Sequence, residues 1–239
     1  MALTGFAANN YLLRTSNTLN YNAAYTQMGW FYVTNSSNSG SLFSVFGQEL
    51  NFDKSGYGGG TFDIAISYFA NNSQAFSLAS PSFSFQNTWL WFAFVRLDAS
   101  NVQCYANGDT IASPATFSTA NRTALSTGTC LGAGVVGQPA QPLTGKAFNC
   151  FEYDAALTQE EVRQQMFKHL PQRTSNLKAW IPMFSDGATE KDFSGNNFDY
   201  SIIGTLTDTD SLLIPVSPLF SKGKSGLIYR RSPLMLSAC

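Results

Sequence analysis

The stretch Trp89-Leu90-Trp91-Phe92-Ala93-Phe94-Val95-Arg96-Leu97 constrains the fold more than any other part of the chain. Successive side chains of a strand point to opposite faces, and here both faces are apolar for most of the length. Such a strand belongs in the middle of a sheet that is covered on both sides. The residues that follow supply its partner. Asp98-Ala99-Ser100-Asn101 turns the chain and Val102-Gln103-Cys104-Tyr105 returns. Asn107-Gly108 then provides the two positive-φ residues of a type I′ hairpin before Thr110-Ile111-Ala112.

Further strands are expected over 28–33, 42–46, 62–69, 177–183 and 199–203, with turn-forming clusters between them. Twenty Phe, ten Tyr and four Trp favour strands over helices and exclude a disordered chain. The implied fold is all-β: a two-sheet antiparallel jelly-roll sandwich over residues 1–211. No run approaches the roughly 18 apolar residues of a membrane span, so no membrane partner is expected. The first residues lack a basic start followed by an apolar stretch, so no signal peptide is expected either.

One short helix interrupts the strands. Thr158-Gln159-Glu160-Glu161 is a capping box, with Leu157 and Val162 as its hydrophobic staple. Val162, Met166 and Leu170 fall near one face, and Pro171 is expected to stop the helix. From residue 212 onward the texture changes to proline-punctuated, basic and apolar without helical period. Residues 212–239 read as an extended C-terminal arm.

Charge is unevenly spread. Residues 1–210 hold fifteen acids against ten bases, whereas residues 211–239 hold Lys222, Lys224, Arg230 and Arg231 and no acid. The body offers no basic surface for phosphates, which argues against nucleic acid. A basic arm on an acidic body fits docking on protein. Cys104, Cys130, Cys150 and Cys239 have no zinc-site spacing and read as reduced thiols, three of them buried, with Cys130–Cys150 pairing the minority alternative.

Three separated stretches together resemble the laminin-G-like, concanavalin-A-like jelly roll of the lectin/glucanase superfamily, over about residues 3–206. They are Trp89–Val95 through Tyr105-Ala106-Asn107-Gly108, then Phe151-Glu152-Tyr153-Asp154-Ala155-Ala156-Leu157 through Val162, then Leu177-Lys178-Ala179-Trp180 through Asp192-Phe193-Ser194-Gly195-Asn196-Asn197. The third often opens such domains and here follows the helix. The resemblance implies fold strongly and function weakly, since the superfamily hosts lectins, enzymes, adhesion modules and virion proteins.

Related retaining glucanases carry E-x-D-x-E or E-x-D-x-x-E on one strand, so that the paired carboxylates face one groove. Glu152-Tyr153-Asp154 begins that pattern, but Ala156 and Leu157 stand where the second Glu is needed. His169, the only histidine, sits at a helix end, where it suits the dipole. No enzyme is expected. Nucleotide motifs fail too: Gly56-Tyr57-Gly58-Gly59-Gly60 is followed by Thr61, and Gly223-Lys224-Ser225 lacks the first Gly of a P-loop.

The resemblance also implies one calcium ion at the sandwich rim, for which Asp192, Asn196 and Asn197 are hard oxygen donors in a Gly-containing loop. The same residues suit an Asx turn that bonds its own backbone, and this is the favoured alternative. Tyr57, Trp89 and Tyr25 are candidate sugar platforms, although Trp89, Trp91 and Trp30 fit core packing better.

The leading expectation is a non-enzymatic virion protein, a bacteriophage capsid decoration or cement protein. Its arm would anchor through Ile214, Phe220, Lys222, Lys224, Ile228, Tyr229, Arg230 and Arg231. Its partners would be copies of itself or other virion proteins, assembled in the host cytoplasm. The alternative is a glycan-binding, lectin-like module for cell-surface attachment.

Overall fold

Both apolar faces of 89–97 are explained by where the strand lies: one face meets a second sheet and the other is covered by a helix and the loop beside it. The computed structural model describes residues 2–7, 9–16, 19–20, 23–34, 40–45, 48–53, 63–68, 76–78, 87–98, 101–110, 115–116, 128–133, 143–184 and 187–209.

The first strands are β1 (Ala2–Phe6), β2 (Tyr11–Arg14), β3 (Tyr25–Val33), β4 (Gly40–Val45), β5 (Gln48–Asp53), β6 (Asp63–Tyr68) and β7 (Phe76–Leu78). Then come β8 (Trp89–Arg96), β9 (Asn101–Ala106), β10 (Asp109–Thr110), β11 (Ala115–Thr116), β12 (Thr129–Leu131) and β13 (Gly145–Tyr153). Helix α1 (Gln159–Met166) precedes β14 (Leu177–Ile181), β15 (Thr189–Glu190), β16 (Tyr200–Ile203) and β17 (Thr207–Thr209).

Two antiparallel sheets result. The first runs β10-β9-β8-β3-β13-β1-β17, with β11 on β9 and β14 on β13. The second runs β15-β16-β2-β12-β4-β5-β6-β7. This is the jelly-roll sandwich that the strand pattern predicts. The segment after the helix closes it, with β14 on β13, β16 on β2 and β17 on β1.

Between the sheets, Leu90, Phe92 and Phe94 of β8 and Phe31 of β3 pack toward Leu12, Phe43 and Leu131 of the second sheet. Phe31 and Phe43 meet edge to face at 5.1 Å, the geometry that the ring quadrupoles favour. Each such ring, fully buried, contributes roughly 1.5–3 kcal/mol. On the other face of the first sheet, Met28, Trp30, Trp91, Phe151 and Tyr153 pack with Leu157, Val162 and Met166.

Helix α1 begins as its capping box dictates. The Glu161 amide donates to the Thr158 hydroxyl at 3.3 Å, and the Thr158 amide donates to Glu161 Oε2 at 2.8 Å. It ends earlier than Pro171 would require. The last helical residue is Met166, and Leu170, expected on the apolar face, is 64% exposed. The buried Gln165 side chain explains the early stop, because it donates to the carbonyls of Lys168 and Leu170 and accepts from the Gln172 amide. Backbone groups leaving the helix are thereby satisfied without another turn. The helix lies on the outer face of the first sheet.

The Asn107-Gly108 hairpin has φ values of +51° and +80°, as a type I′ turn needs. It also docks the helix: the Gly108 carbonyl accepts from Gln159 Nε2 and Arg163 Nε, and Arg163 pairs with Asp109 at 2.6 Å. Cys104, Cys130 and Cys150 are buried thiols outside any disulfide, as expected, and burial raises the Cys104 and Cys150 thiols well above their ordinary values. Cys239 lies outside the described residues.

Candidate functional site

The site is built on a bulge. Between Phe148 and Phe151, β13 carries one residue more than its partner β3, and Asn149 sits there at φ +51°. Gly29 on β3 makes room for it, since a Cβ at that position would lie 2.5 Å from Cys150 Sγ. The bulge lets the Asn149 amide tie two segments together. Its Oδ1 accepts from Trp180 Nε1 at 2.8 Å, and its Nδ2 donates to the Lys168 carbonyl at 3.1 Å.

Trp180, on β14, starts an aromatic ladder. Its ring lies parallel to the buried Phe151 ring, with centroids 6.4 Å apart. Phe193 meets Trp180 edge-on at 5.8 Å, and Phe184 meets Phe193 edge-on at 6.4 Å. The outer two rungs face water: Phe193 is 53% and Phe184 48% exposed. Adjacent exposed rings are informative where a single exposed Leu is not.

The loop carrying Phe193 is pinned. Asp192 Oδ1 accepts from the Trp180 amide at 2.9 Å and the Ser194 amide at 2.8 Å. Its Oδ2 accepts from the Ser194 hydroxyl at 2.8 Å and the Phe198 amide at 2.9 Å. The Phe193 amide itself donates to the Trp180 carbonyl. Asn196 Nδ2 donates to the carbonyls of Leu177 and Lys178, and Asn197 holds the turn at φ +60°. Trp180 and Phe193 are therefore presented on a fixed backbone. Next to them, Lys178 pairs with Asp154 at 3.1 Å.

A second feature lies on the same outer face. A cleft of about 310 Å³ opens between α1 and residues 172–175. Met28, Tyr153 and Leu157 form its apolar floor, and Glu161, Gln164, Gln172, Arg173, Thr174 and Ser175 are among its polar walls. Arg173 spans the wall, donating to Glu161 Oε1, the Ser175 carbonyl and hydroxyl, and Asn176 Oδ1. Partial burial acts upward on the Glu161 carboxyl. The Thr158 and Arg173 hydrogen bonds outweigh it and hold the group below its ordinary value. Tyr153 is 1% exposed, and among the described residues its hydroxyl has no hydrogen-bond partner. Burial raises its phenol well above the ordinary value, and Arg173 and Glu161 are the charges it feels.

Glu152 is 2% exposed and lies between the sheets, bonded by Arg14 at 2.6 Å, the Tyr200 hydroxyl at 2.5 Å and Gln27 at 3.3 Å. It faces no groove, and Asp154 lies apart from it on the outer surface. His169 packs edge-on against Phe148 at 5.7 Å. Asp192, Asn196 and Asn197 share one loop, where both Asp192 oxygens are committed to N–H and O–H donors. A calcium ion would have to displace those donors, so the loop as folded does not fit the ion. Among the described residues no group of three His, Cys, Asp or Glu side chains is placed to hold a metal.

Of the proposed sugar platforms, Tyr25 is buried, Trp89 is half-buried and Tyr57 lies outside the described residues. So do all the arm residues: Ile214, Phe220, Lys222, Lys224, Ile228, Tyr229, Arg230 and Arg231. Sequence reasoning missed the ladder. The signal was there: Phe184 and Phe193 are large aromatics in turn-rich segments, outside any strand pattern.

Residues 6–163 match the Concanavalin A-like lectin/glucanases superfamily. The chain belongs to that superfamily. Among solved structures it is similar to a Bacteroides ovatus protein assigned as a carbohydrate binding protein, with 16% identity and a TM-score of 0.66. That match covers 88% of this chain and 60% of the other, so the chain spans less than two thirds of that protein's length. It is also similar to the heptameric SAP-like pentraxin of Limulus polyphemus, with 14% identity, a TM-score of 0.52, and coverage of 84% of this chain and 95% of the other. No curated protein matches the chain in sequence. Among the described residues no helix is long and apolar enough to cross a membrane.

Proposed function

We propose that this chain is a glycan-binding, lectin-like module that works without catalysis and holds sugar against the Trp180–Phe193–Phe184 ladder. The observation that carries this reading is the ladder itself: two half-exposed rings beside a third, with Phe193 on a loop fixed by the four hydrogen bonds of Asp192. The apolar C–H face of a pyranose packs on such rings. A preordered platform also lowers the entropic cost of binding. Polar side chains at its margin, Lys178 and Asn196 among them, supply groups for the sugar's hydroxyls.

Membership of the superfamily and similarity to the Bacteroides protein support the lectin-like reading. The internal position of Glu152 supports binding without hydrolysis, because a carboxylate locked between sheets cannot reach a glycosidic bond. Virion anchoring rests on residues 212–239, and no feature of the described residues favours it.

The test is a glycan array followed by calorimetry on the best hit. Saturable binding is expected, weakened at least tenfold in Phe193→Ala with an unchanged far-ultraviolet circular dichroism spectrum. An array without a hit, or equal binding by a Phe184→Ala/Phe193→Ala double variant, would overturn the reading.

A further inference from the structure

We infer that the cleft between α1 and residues 172–175 is a second, separate pocket that takes a single neutral sugar residue, with the Tyr153 hydroxyl bonding it at the floor. The inference rests on the lectin-like reading only for the class of ligand. Its geometry is independent of the ladder.

Size comes first. A volume of 310 Å³ is near the low end of small-molecule sites. It equals about ten water molecules' share of liquid, room for one ring rather than a chain.

Chemistry comes second. Met28, Tyr153 and Leu157 give the floor an apolar surface for the C–H face of a ring. Every guanidinium nitrogen of Arg173 already donates to protein, and Glu161 accepts from Arg173 and Thr158. The two charges are thus paired with each other, which leaves no unpaired charge among the cleft's described lining residues to select an ionic ligand. Beside the two remaining Arg173 N–H groups, the open groups are neutral, among them the Tyr153 hydroxyl, the Gln172 amide and the Thr174 hydroxyl. A ligand with several hydroxyls, each both donor and acceptor, matches that set.

The Tyr153 hydroxyl is the independent pointer. It has no partner within the chain among the described residues, yet it is not one of the atoms sealed away from solvent, so it opens to the cleft, where a ligand hydroxyl can take the place of water. A phenylalanine would fill the same space without a polar atom.

The experiment uses the full chain labelled with 13C at the methionine methyls and 15N at the indoles. It is titrated with D-glucose, D-galactose, D-mannose, L-fucose, N-acetylglucosamine and N-acetylgalactosamine up to tens of millimolar. The Met28 methyl, assigned through Met28→Leu, reports the cleft, and the Trp180 indole N–H reports the ladder. At least one sugar is expected to shift the Met28 methyl saturably. Tyr153→Phe should weaken that sugar about tenfold, the scale of one hydrogen bond. Phe193→Ala should leave it unchanged. Gln172→Ala, at an exposed position, should weaken it also and guards against a folding defect in the first variant. No Met28 shift with any of the six sugars, or equal affinity in both cleft variants, would overturn the pocket. A Met28 response without a Trp180 response would sink the ladder and leave the pocket standing.

Discussion

Arg14 of the second sheet and Glu152 of the first meet at 2.6 Å inside the sandwich, with side chains only 2–3% exposed. Tyr200 and Gln27 also donate to Glu152, and the guanidinium lies over the Tyr200 ring at 4.7 Å. Burial opposes the Arg14 charge, but Glu152 outweighs it and raises the guanidinium above its ordinary value. Removing one partner strands the other charge, so Glu152→Ala should cost about 3–5 kcal/mol in urea unfolding. Replacing both, as Arg14→Met with Glu152→Leu, should recover most of that loss. A Glu152→Ala protein with unaltered stability would contradict the internal ion pair.

Acid should loosen the wall of the cleft. Glu161 is held below the ordinary carboxylate value of about 4.3 by Thr158 and Arg173, despite some upward pull from burial. The unfolded chain therefore takes up its proton at a higher pH than the folded one does. The stabilisation is complete above that ordinary value and is lost as pH falls through the folded value. Melting temperatures of the natural protein and Glu161→Gln should differ at pH 7 and converge in strong acid. A difference that persists at the lowest pH would show that the ionised carboxylate is not its source.

How much of this could be read from the chain depends on how local the cause is. The paired sheets and the helix start were legible because alternation and a capping box act through neighbours in sequence. The end of α1 was not, because the Gln165 side chain reaches forward to residues 168–172 and replaces the turn that Leu170 would have joined. Asp192 was singled out by the loop's composition, which shows that the oxygens are present but not what they bond to. The ladder was hidden for a related reason. Trp180, Phe184 and Phe193 come together through the bulge at Asn149 and the loop pinned by Asp192, both of them long-range contacts. Tyr25 and Trp89 are candidates by residue type alone, and strand register buries one and half-buries the other, in keeping with the core reading of Trp89.

Gly108 offers a controlled test of the hairpin's hold on the helix. It sits at φ +80°, and a Cβ there would lie 2.6 Å from Arg163 Cγ. Gly195 has φ +91° with nothing within 4 Å, so Gly195→Ala carries backbone strain alone, about 1–2 kcal/mol. Gly108→Ala should cost more, because the Arg163 side chain must also leave Asp109 and the Gly108 carbonyl. Thermal melts of the two variants would compare them directly. Equal losses would mean that Arg163 moves aside without consequence.

At Asp192 the turn and the metal site make opposite demands on the same two oxygens. Its two oxygens accept four hydrogen bonds, from Trp180, Phe198 and twice from Ser194. Hydrogen bonds to a charged group are each worth about 1.5–3 kcal/mol, though not additively. Asp192→Ala should therefore destabilise the chain by at least about 2 kcal/mol by that scale. It should also release the loop that presents Phe193, so sugar binding at the ladder should fall with it. Asp192→Asn should recover only part of both, since one of its side-chain atoms becomes a donor facing donors. Calcium must compete with N–H and O–H groups already in place, so calcium or a chelator should leave melting temperature and sugar binding unchanged. A rise in melting temperature with calcium, lost in Asp192→Asn, would instead show that the loop opens to take the ion.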